Sequence, residues 1–364
     1  MSKTLQQFKK NREKLSGVTT SSEPPKYWLS SGFYTVNKIL SGSYTGAYAS
    51  GRIAMLTGPS NAGKSLLAIS AAVQAQKEGY GVFIVDSENA LDDAYMQAVG
   101  LDVDDENFFY QGVNSITAAK KVMTDFIQAY RADKDSLPPF VMIVDSLDQL
   151  YTDAHVAKSE KGEMQNDQGQ QAKLLKQFCS GWAHDIKGLD IFGIATKQPY
   201  QNQDPIMSKV KPWIITHSMR FPFSQILLVT NVFLKNDKTK IYDGVKITAF
   251  ADKTRFCKPF QKCVVEVPYD CDLDPYNGVL EAAASVGVVE KNGGWYTFGE
   301  HKFQASSASE HIEEVFNKLV EMDKSNSVIL VVPLNDDESE DFELGNKAKT
   351  SKKKTKRKNA LTDE

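Results

Sequence analysis

The sequence is short of cysteine, of long apolar runs and of charge of one sign, and each shortage removes a class of protein. Cys179, Cys257, Cys263 and Cys271 are the thiols of a 364-residue chain, too few for a disulfide scaffold, and none stands in a C-x-x-C pair with histidines at zinc-finger spacing. They read as buried or incidental. No segment approaches the roughly 18 to 20 unbroken apolar residues that cross a bilayer. The polar start Met1–Lys10 lacks the apolar stretch of a secretory signal. No membrane partner is expected, and the cytoplasm is the expected compartment. The 43 basic and 46 acidic residues nearly cancel, for a net charge of −3. That balance excludes a uniformly basic nucleic-acid binder but leaves room for local basic surfaces.

What is present is an ordinary globular composition, 41% apolar and 24% charged, with length for about two domains. Residues 1–27 read as an N-terminal arm and linker. Leu5, Phe8 and Leu15 fall loosely at helical spacing, a stripe too narrow to be stable alone, which points to burial against a neighbouring protomer. From residue 28 to 275, apolar runs alternate with amphipathic stretches, the pattern of an α/β core with a mixed, mostly parallel sheet flanked by helices. The expected strands are Arg52–Thr57, Gly81–Asp86, Phe140–Asp145, Ile191–Thr196, Gln225–Phe233, Lys246–Ala251 and Lys262–Val267. The last three surround an Asn-Asp-Lys-Thr turn and predict an antiparallel hairpin at one sheet edge. Residues 276–325 predict a small C-terminal α+β domain, with an aromatic strand at Trp295–Phe298 and a helix presenting Ile312, Val315, Phe316 and Leu319. Residues 326–364 form a charged tail: six of the eight residues Asp336–Glu343 are acidic, and six of the eight residues Ser351–Lys358 are basic. Such blocks are normally disordered. The tail reads either as a solubiliser or as a modulator of nucleic-acid access.

Gly58, Pro59, Ser60, Asn61, Ala62, Gly63, Lys64 and Ser65 match G-x-x-x-x-G-K-[ST], after an apolar strand and at the head of an amphipathic helix. Backbone N–H groups and a helix N-terminus together cradle phosphates there. Lys64 would reach the β- and γ-phosphates of ATP, and the Ser65 hydroxyl would ligate Mg²⁺. Downstream, Phe140-Val-Met-Ile-Val-Asp145 ends an apolar strand in a carboxylate suited to hold the same Mg²⁺ directly or through water. Val82-Phe-Ile-Val-Asp86-Ser-Glu88 ends likewise. Glu88 can polarise an attacking water, and Asp86 reads as structural.

These blocks resemble the RecA family of strand-exchange ATPases, most closely its phage UvsX recombinases. Further blocks carry the likeness: Trp28–Gly32 with Ile39–Gly42, Asp86–Tyr95, Val144–Leu147, Ile194–Gln198, Asp252–Arg255, and Asp274–Gly278 through Asn292–Tyr296. Together they cover residues 28 to 300. The resemblance implies a RecA-like core, Glu88 as the catalytic glutamate, and Asp92 and Tyr95 as adenine contacts. It implies Gln198 as a γ-phosphate sensor, beside Lys197 where related sequences more often carry Asn. It also implies Lys253 and Arg255 as cations that enter a neighbouring protomer's ATP site. Charge supplied in trans would stabilise the transferring phosphoryl group and tie hydrolysis to assembly.

In such a fold two loops would carry DNA, about His155 to Gln171 and about Pro199 to Phe221. The second alternates cations and aromatic residues, which suits single strands: Lys209, Lys211 and Arg220 for phosphates, and Trp213 either stacked on bases or packed in the core. The implied activity is a DNA-dependent ATPase that forms filaments on single-stranded DNA and pairs it with homologous duplex. It would serve recombination, repair and recombination-dependent replication, in the bacterial host cytoplasm if phage-encoded. The implied partners include a single-strand-binding protein and a loading mediator. The alternatives are a RecA-fold hexameric helicase and a non-hydrolysing ATP-gated DNA-binding regulator. Glu88 argues against the regulator. The Glu88–Tyr95 block and the lack of a helical primase-interacting domain argue against the helicase.

Overall fold

The computed structural model describes Thr4, Gln6, Gln7 and residues 24–325, apart from 165–168, 205–207, 209–211, 236–240 and 270–272. The stripe of Leu5, Phe8 and Leu15, the Asn236–Thr239 turn and the charged tail lie outside the described residues.

In chain order, a short pair β1 (Trp28–Leu29) and β2 (Tyr48–Ala49) flanks helix α1 (Tyr34–Ser41) and leads into β3 (Arg52–Thr57). Then come α2 (Lys64–Lys77), β4 (Gly81–Asp86), α3 (Asp93–Val99), β5 (Phe108–Gly112), α4 (Ile116–Ala132) and β6 (Phe140–Asp145). Helices α5 (Asp153–Ser159) and α6 (Gln170–Asp185) precede β7 (Ile191–Lys197). After it come β8 (Tyr200–Gln201), β9 (Trp213–Ile214), α7 (His217–Arg220), β10 (Gln225–Lys235), β11 (Tyr242–Lys253) and β12 (Lys262–Pro268). The described chain closes with α8 (Val279–Ser285), β13 (Glu290–Asn292), β14 (Trp295–Phe298), β15 (His301–Gln304), a 3₁₀ turn at Ala305–Glu310 and α9 (Ile312–Ser325).

The main sheet runs β12-β11-β10-β3-β7-β6-β4-β5. Its five strands from β3 to β5, and β10 beside β3, are parallel, while β10, β11 and β12 pair antiparallel. Strands β4, β6 and β7 are buried along their whole length, which is why they read as unbroken apolar runs rather than alternating ones. The period of two sends Ala54, Leu56, Val82, Ile84, Val141 and Ile143 to one face, under α1, α2 and α3. Ile53, Met55, Phe83, Val85, Met142 and Val144 go to the other, under α4 and α6. On α2 the small residues Ala68, Ser70, Ala71, Ala72 and Ala75 are all buried, so its backbone lies close to the sheet. The Ser70 hydroxyl also donates to the Ser31 carbonyl at 2.9 Å.

The seven expected strands are present, the hairpin pair longer than its apolar letters. Strand β5 was not foreseen. Its aromatic residues Phe108–Tyr110 are only partly covered and are followed by Gln111 and Gly112, so the segment is short of the buried apolar run that marks the inner strands; it is held by its ladder to β4 and by Phe108 and Tyr110 packed against the core. The segment expected to loop from His155 to Gln171 is partly helical: Thr152 caps α5 by accepting from the His155 N–H at 3.2 Å, and α6 begins at Gln170. Likewise the stretch from Pro199 to Phe221 contains β8 paired with β9 and the short α7.

Residues 276–323 build a core of their own from Val279, Ala283, Val289, Tyr296, Phe303, Val315 and Leu319, joined by Tyr44. Tyr34 of α1 stacks on Phe316 at 4.1 Å between centroids. Cys179 is buried and Cys257 and Cys263 half-buried, all as free thiols. Cys271 lies outside the described residues.

Gly193 in β7 tests the sheet–helix packing. A Cβ there would lie 2.5 Å from Ile53 Cγ2 and 2.8 Å from Trp182 Cζ2. Gly193→Ala should therefore lower the unfolding free energy by roughly 1 to 3 kcal/mol through overpacking, read as a lower urea midpoint. An unchanged midpoint would show that α6 yields freely.

Candidate active site

The parallel register brings the strand ends together. Asp86 and Asp145 are directly paired across β4 and β6, and Thr57 pairs with Lys197 across β3 and β7. The loops that follow these residues therefore open on one edge of the sheet, where the P-loop leaves β3.

Residues 58–65 close tightly. Gly63 is in the left-handed region at φ 91° and opens α2, and a Cβ on it would lie 2.5 Å from Ile247 Cδ1. A Cβ on Gly58 would run into the Val229 carbonyl of β10. Both positions require glycine. Lys64 Nζ donates to the carbonyls of Gly58 at 3.1 Å and Pro59 at 2.9 Å, arching over the loop. Burial pushes its ammonium below the usual lysine range, against the opposing pull of Asp145, Glu88 and Asp148. From β10, Asn231 Nδ2 donates to the Asn61 carbonyl at 2.9 Å.

Asp145 is 4% exposed. It accepts from the Thr196 hydroxyl and from Ser65. Burial pushes its carboxyl above the usual range, the two hydrogen bonds oppose that, and Glu88 and Asp86 reinforce it. Ser65 and Asp145 thus present hard oxygen donors side by side, a set that fits Mg²⁺. A divalent cation there would remove the cost of a buried charge that the protein alone leaves partly unmet.

Asp86 is structural in a specific way. Its Oδ1 accepts from the Glu88 and Asn89 N–H groups at 2.8 Å each, and its Oδ2 from Ala90 and Leu91 at 3.1 Å each and from the Tyr110 hydroxyl at 2.9 Å. Those bonds wrap residues 87–91 around one carboxylate and fix where Glu88 emerges. Glu88 Oε1 then accepts from the Ser146 hydroxyl, and Ser87 is bonded to both the N–H and the carbonyl of Ser146 at 3.1 and 2.6 Å. Asp92 caps α3, accepting from the Tyr95 N–H at 2.7 Å, and Tyr95 packs at the margin of the core under that face of the sheet.

Gln198 reaches the P-loop, its Nε2 donating to Ser60 Oγ at 3.3 Å. Lys197, 2% exposed, is ion-paired with Asp148. Asp148, Ser146, Thr196 and Asn231 are contributors that sequence reasoning passed over. Thr196 and Ser146 adjoin residues already singled out, but nothing in the local sequence marks Asp148 or Asn231.

The other expected cations lie elsewhere. Lys253 pairs opposite Ile226, whose β3 partner is Met55. It therefore lies three residues short of Gly58, about 10 Å down the strand direction, and two strands across. Arg255 lies beyond the strand end, farther from the P-loop edge. Lys253 Nζ donates to the Arg220 carbonyl at 2.6 Å. Arg220, expected on a DNA phosphate, is instead ion-paired with Asp252 and donates to its carbonyl at 3.3 Å. A 4%-exposed carboxylate needs that partner, so Arg220 already carries a counter-charge within its own chain. Trp213 is half-buried in β9. Lys209 and Lys211 lie outside the described residues.

A P-loop at the edge of a largely parallel sheet, with paired acidic strand ends and a polar strand end beside it, defines a P-loop ATPase with a RecA-like core. The family described as RecA N-terminal domain matches residues 2–271, and the chain belongs to the RecA family. It is 24% identical to Protein RecA of Acholeplasma laidlawii, over 77% of this chain and 81% of that protein. It is 25% identical to Protein RecA of Thermus aquaticus, over 74% and 76%, and 26% identical to that of Treponema denticola, over 71% of this chain and 59% of the relative. Proteins of this family are ATP- and Mg²⁺-dependent, DNA-dependent ATPases of recombination and repair that bind single-stranded DNA and form filaments, and this chain is one of them. Among the described residues no helix is long and apolar enough to cross a membrane.

Burial, with the Arg255 and Arg220 guanidinium groups nearby, pushes the Lys253 ammonium down to about 8 from 10.5. The unfolded chain keeps the higher value and binds more protons between the two, so this group makes stability rise with pH from about 8 toward 10.5. Competitive acetylation followed peptide by peptide should find Lys253 half-neutral near pH 8 in the DNA-free protein. A midpoint at about 10 or above would show its ammonium to be fully solvated.

Proposed function

We propose that Gly58–Ser65 hold the phosphates of ATP, that Ser65 and Asp145 hold Mg²⁺, and that Glu88 orients and deprotonates the attacking water. Lys64 neutralises charge on the β- and γ-phosphates, Asp92 and Tyr95 flank the adenine, and Gln198 reads the γ-phosphate. The observation that carries this reading is the single row formed at the sheet edge by the ends of β4, β6, β7 and β3, with Glu88 held by Asp86 and Ser146 opposite Lys64. Mg²⁺, when bound, draws charge from the phosphate oxygens.

Lys253 and Arg255 act in trans. The register of Lys253 on β11, with Arg255 just beyond that strand's end, sets them away from the P-loop of their own chain, and in this reading the ATP they serve belongs to the next protomer in a filament on single-stranded DNA. The first loop with Lys158 and Lys161, and Lys209, Lys211 and Trp213 of the second, supply the DNA contacts. In the same reading the protein pairs the bound strand with homologous duplex, is loaded by a mediator against a single-strand-binding protein, and supports replication as a phage UvsX recombinase in the host cytoplasm. The sequence blocks quoted above support that placement.

Lys64→Ala should abolish binding of a fluorescent ATP analogue. Glu88→Gln should keep binding and lower DNA-stimulated turnover by at least about 100-fold, the contribution of a positioned general base. Turnover equal to the parent would remove Glu88 from that role.

Mixing Lys253→Ala with Glu88→Gln protein should restore part of the DNA-stimulated hydrolysis, since one interface type then holds an intact Glu88 facing an intact Lys253. No recovery at any ratio, with co-assembly confirmed by sedimentation, would overturn the trans assignment.

A further inference from the structure

Asp148 has no role in the reading above, yet it bonds to Lys197 and Gln198 at the start of the second loop and to Gln171 at the end of the first. It sits in the turn after β6, three residues past Asp145, with its side chain about one quarter exposed. Its two carboxylate oxygens are divided. Oδ1 takes the ammonium of Lys197, and Oδ2 accepts from the Gln198 backbone N–H at 2.5 Å. Its own carbonyl accepts from Gln171 Nε2 at 3.3 Å, and the same Nε2 donates to the Leu150 carbonyl at 2.9 Å.

Those bonds meet at a junction. Gln171 stands at the head of α6, where the first loop ends. Lys197 and Gln198 stand where the second loop begins, and Gln198 touches Ser60 of the P-loop. Lys197 Nζ also lies 5.3 Å over the ring of Tyr200, which opens β8 inside the second loop. A lysine that is 2% exposed requires a counter-charge, and a carboxylate offers enough acceptor sites to serve that ammonium and a backbone N–H together.

We propose that Asp148 is a positioning residue that couples the nucleotide site to the two DNA loops, by clamping the start of the second loop so that the Gln198 side chain lies against the P-loop. The proposal rests on the reading of Gln198 as the γ-phosphate contact. Without the Oδ2 acceptor, the Gln198 backbone is released and its amide no longer shares a fixed frame with the loop it must move.

The test uses the full chain and the ratio of ATP hydrolysis with saturating oligo-dT to hydrolysis without DNA. Asp148→Ala alone strands a buried ammonium and can unfold. The informative variants are therefore Asp148→Ala/Lys197→Met, which removes both charges, and Asp148→Asn, which keeps the shape but offers one acceptor where two are used. The double variant should melt near the parent temperature, Asp148→Asn should melt lower because Lys197 then lacks its counter-charge, and both, assayed well below their midpoints, should hold KM for ATP within about twofold. The stimulation ratio should fall about tenfold, a usual size for coupling between sites. Parent-like stimulation in both folded variants overturns the proposal. Gln198→Ala then separates two failures. If it loses stimulation, the sensor reading stands and Asp148 alone is dismissed; if it keeps stimulation, the reading of Gln198 falls as well.

Discussion

Two carboxylates lie side by side at the edge of a buried sheet, Asp86 on β4 and Asp145 on β6, directly paired and exposed by 1% and 4%. Burying one unpaired charge is costly and burying two like charges on adjacent strands is worse. The surrounding structure is the means of meeting that cost. Asp86 is satisfied by donors from the chain that follows it, and satisfying it shapes the turn from which Glu88 projects. Asp145 is satisfied only in part, by Thr196 and Ser65, and the remaining demand is for positive charge. The same constraint therefore yields one carboxylate that organises backbone and one suited to a metal.

The segment between Lys197 and β10 turns this local chemistry into a long-range one. It leaves the sheet at the P-loop edge and re-enters before Gln225, whose β3 partner is Ala54, so it spans the sheet from one edge toward the other. At its start, Asp148 holds Lys197 and Gln198. At its end, Lys253 and Arg255 donate to the carbonyls of Arg220 and Phe221, and Asp252 holds the Arg220 guanidinium. The two described ends of the segment therefore lie one beside this chain's ATP site and the other at the cations assigned to a neighbour's.

Legibility in the sequence followed burial. Strands buried on both faces carry continuous apolar letters, so β3, β4, β6 and β7 could be read with nearly correct ends. The edge strand β5 is only partly covered and ends in Gln111 and Gly112, and β8 and β9 are two residues each, so none of them carries the continuous apolar run that marks a buried strand. Arg220 shows what the letters leave out. Among aromatic and basic neighbours it resembles a phosphate contact, but the carboxylate it meets belongs to Asp252, which is distant in sequence and next to it in space.

By itself the sequence determined the P-loop, the acidic strand ends and the family, because each is written in contiguous residues whose chemistry does not depend on distant partners. Tertiary structure alone decided which charges are already spent, as with Arg220 and Lys197, and which residues join separate loops, as with Asp148. It also decided that Lys253 lies away from its own P-loop. That fact follows from an antiparallel strand reversing direction beside a parallel one, and strand direction is fixed only when the sheet closes its register.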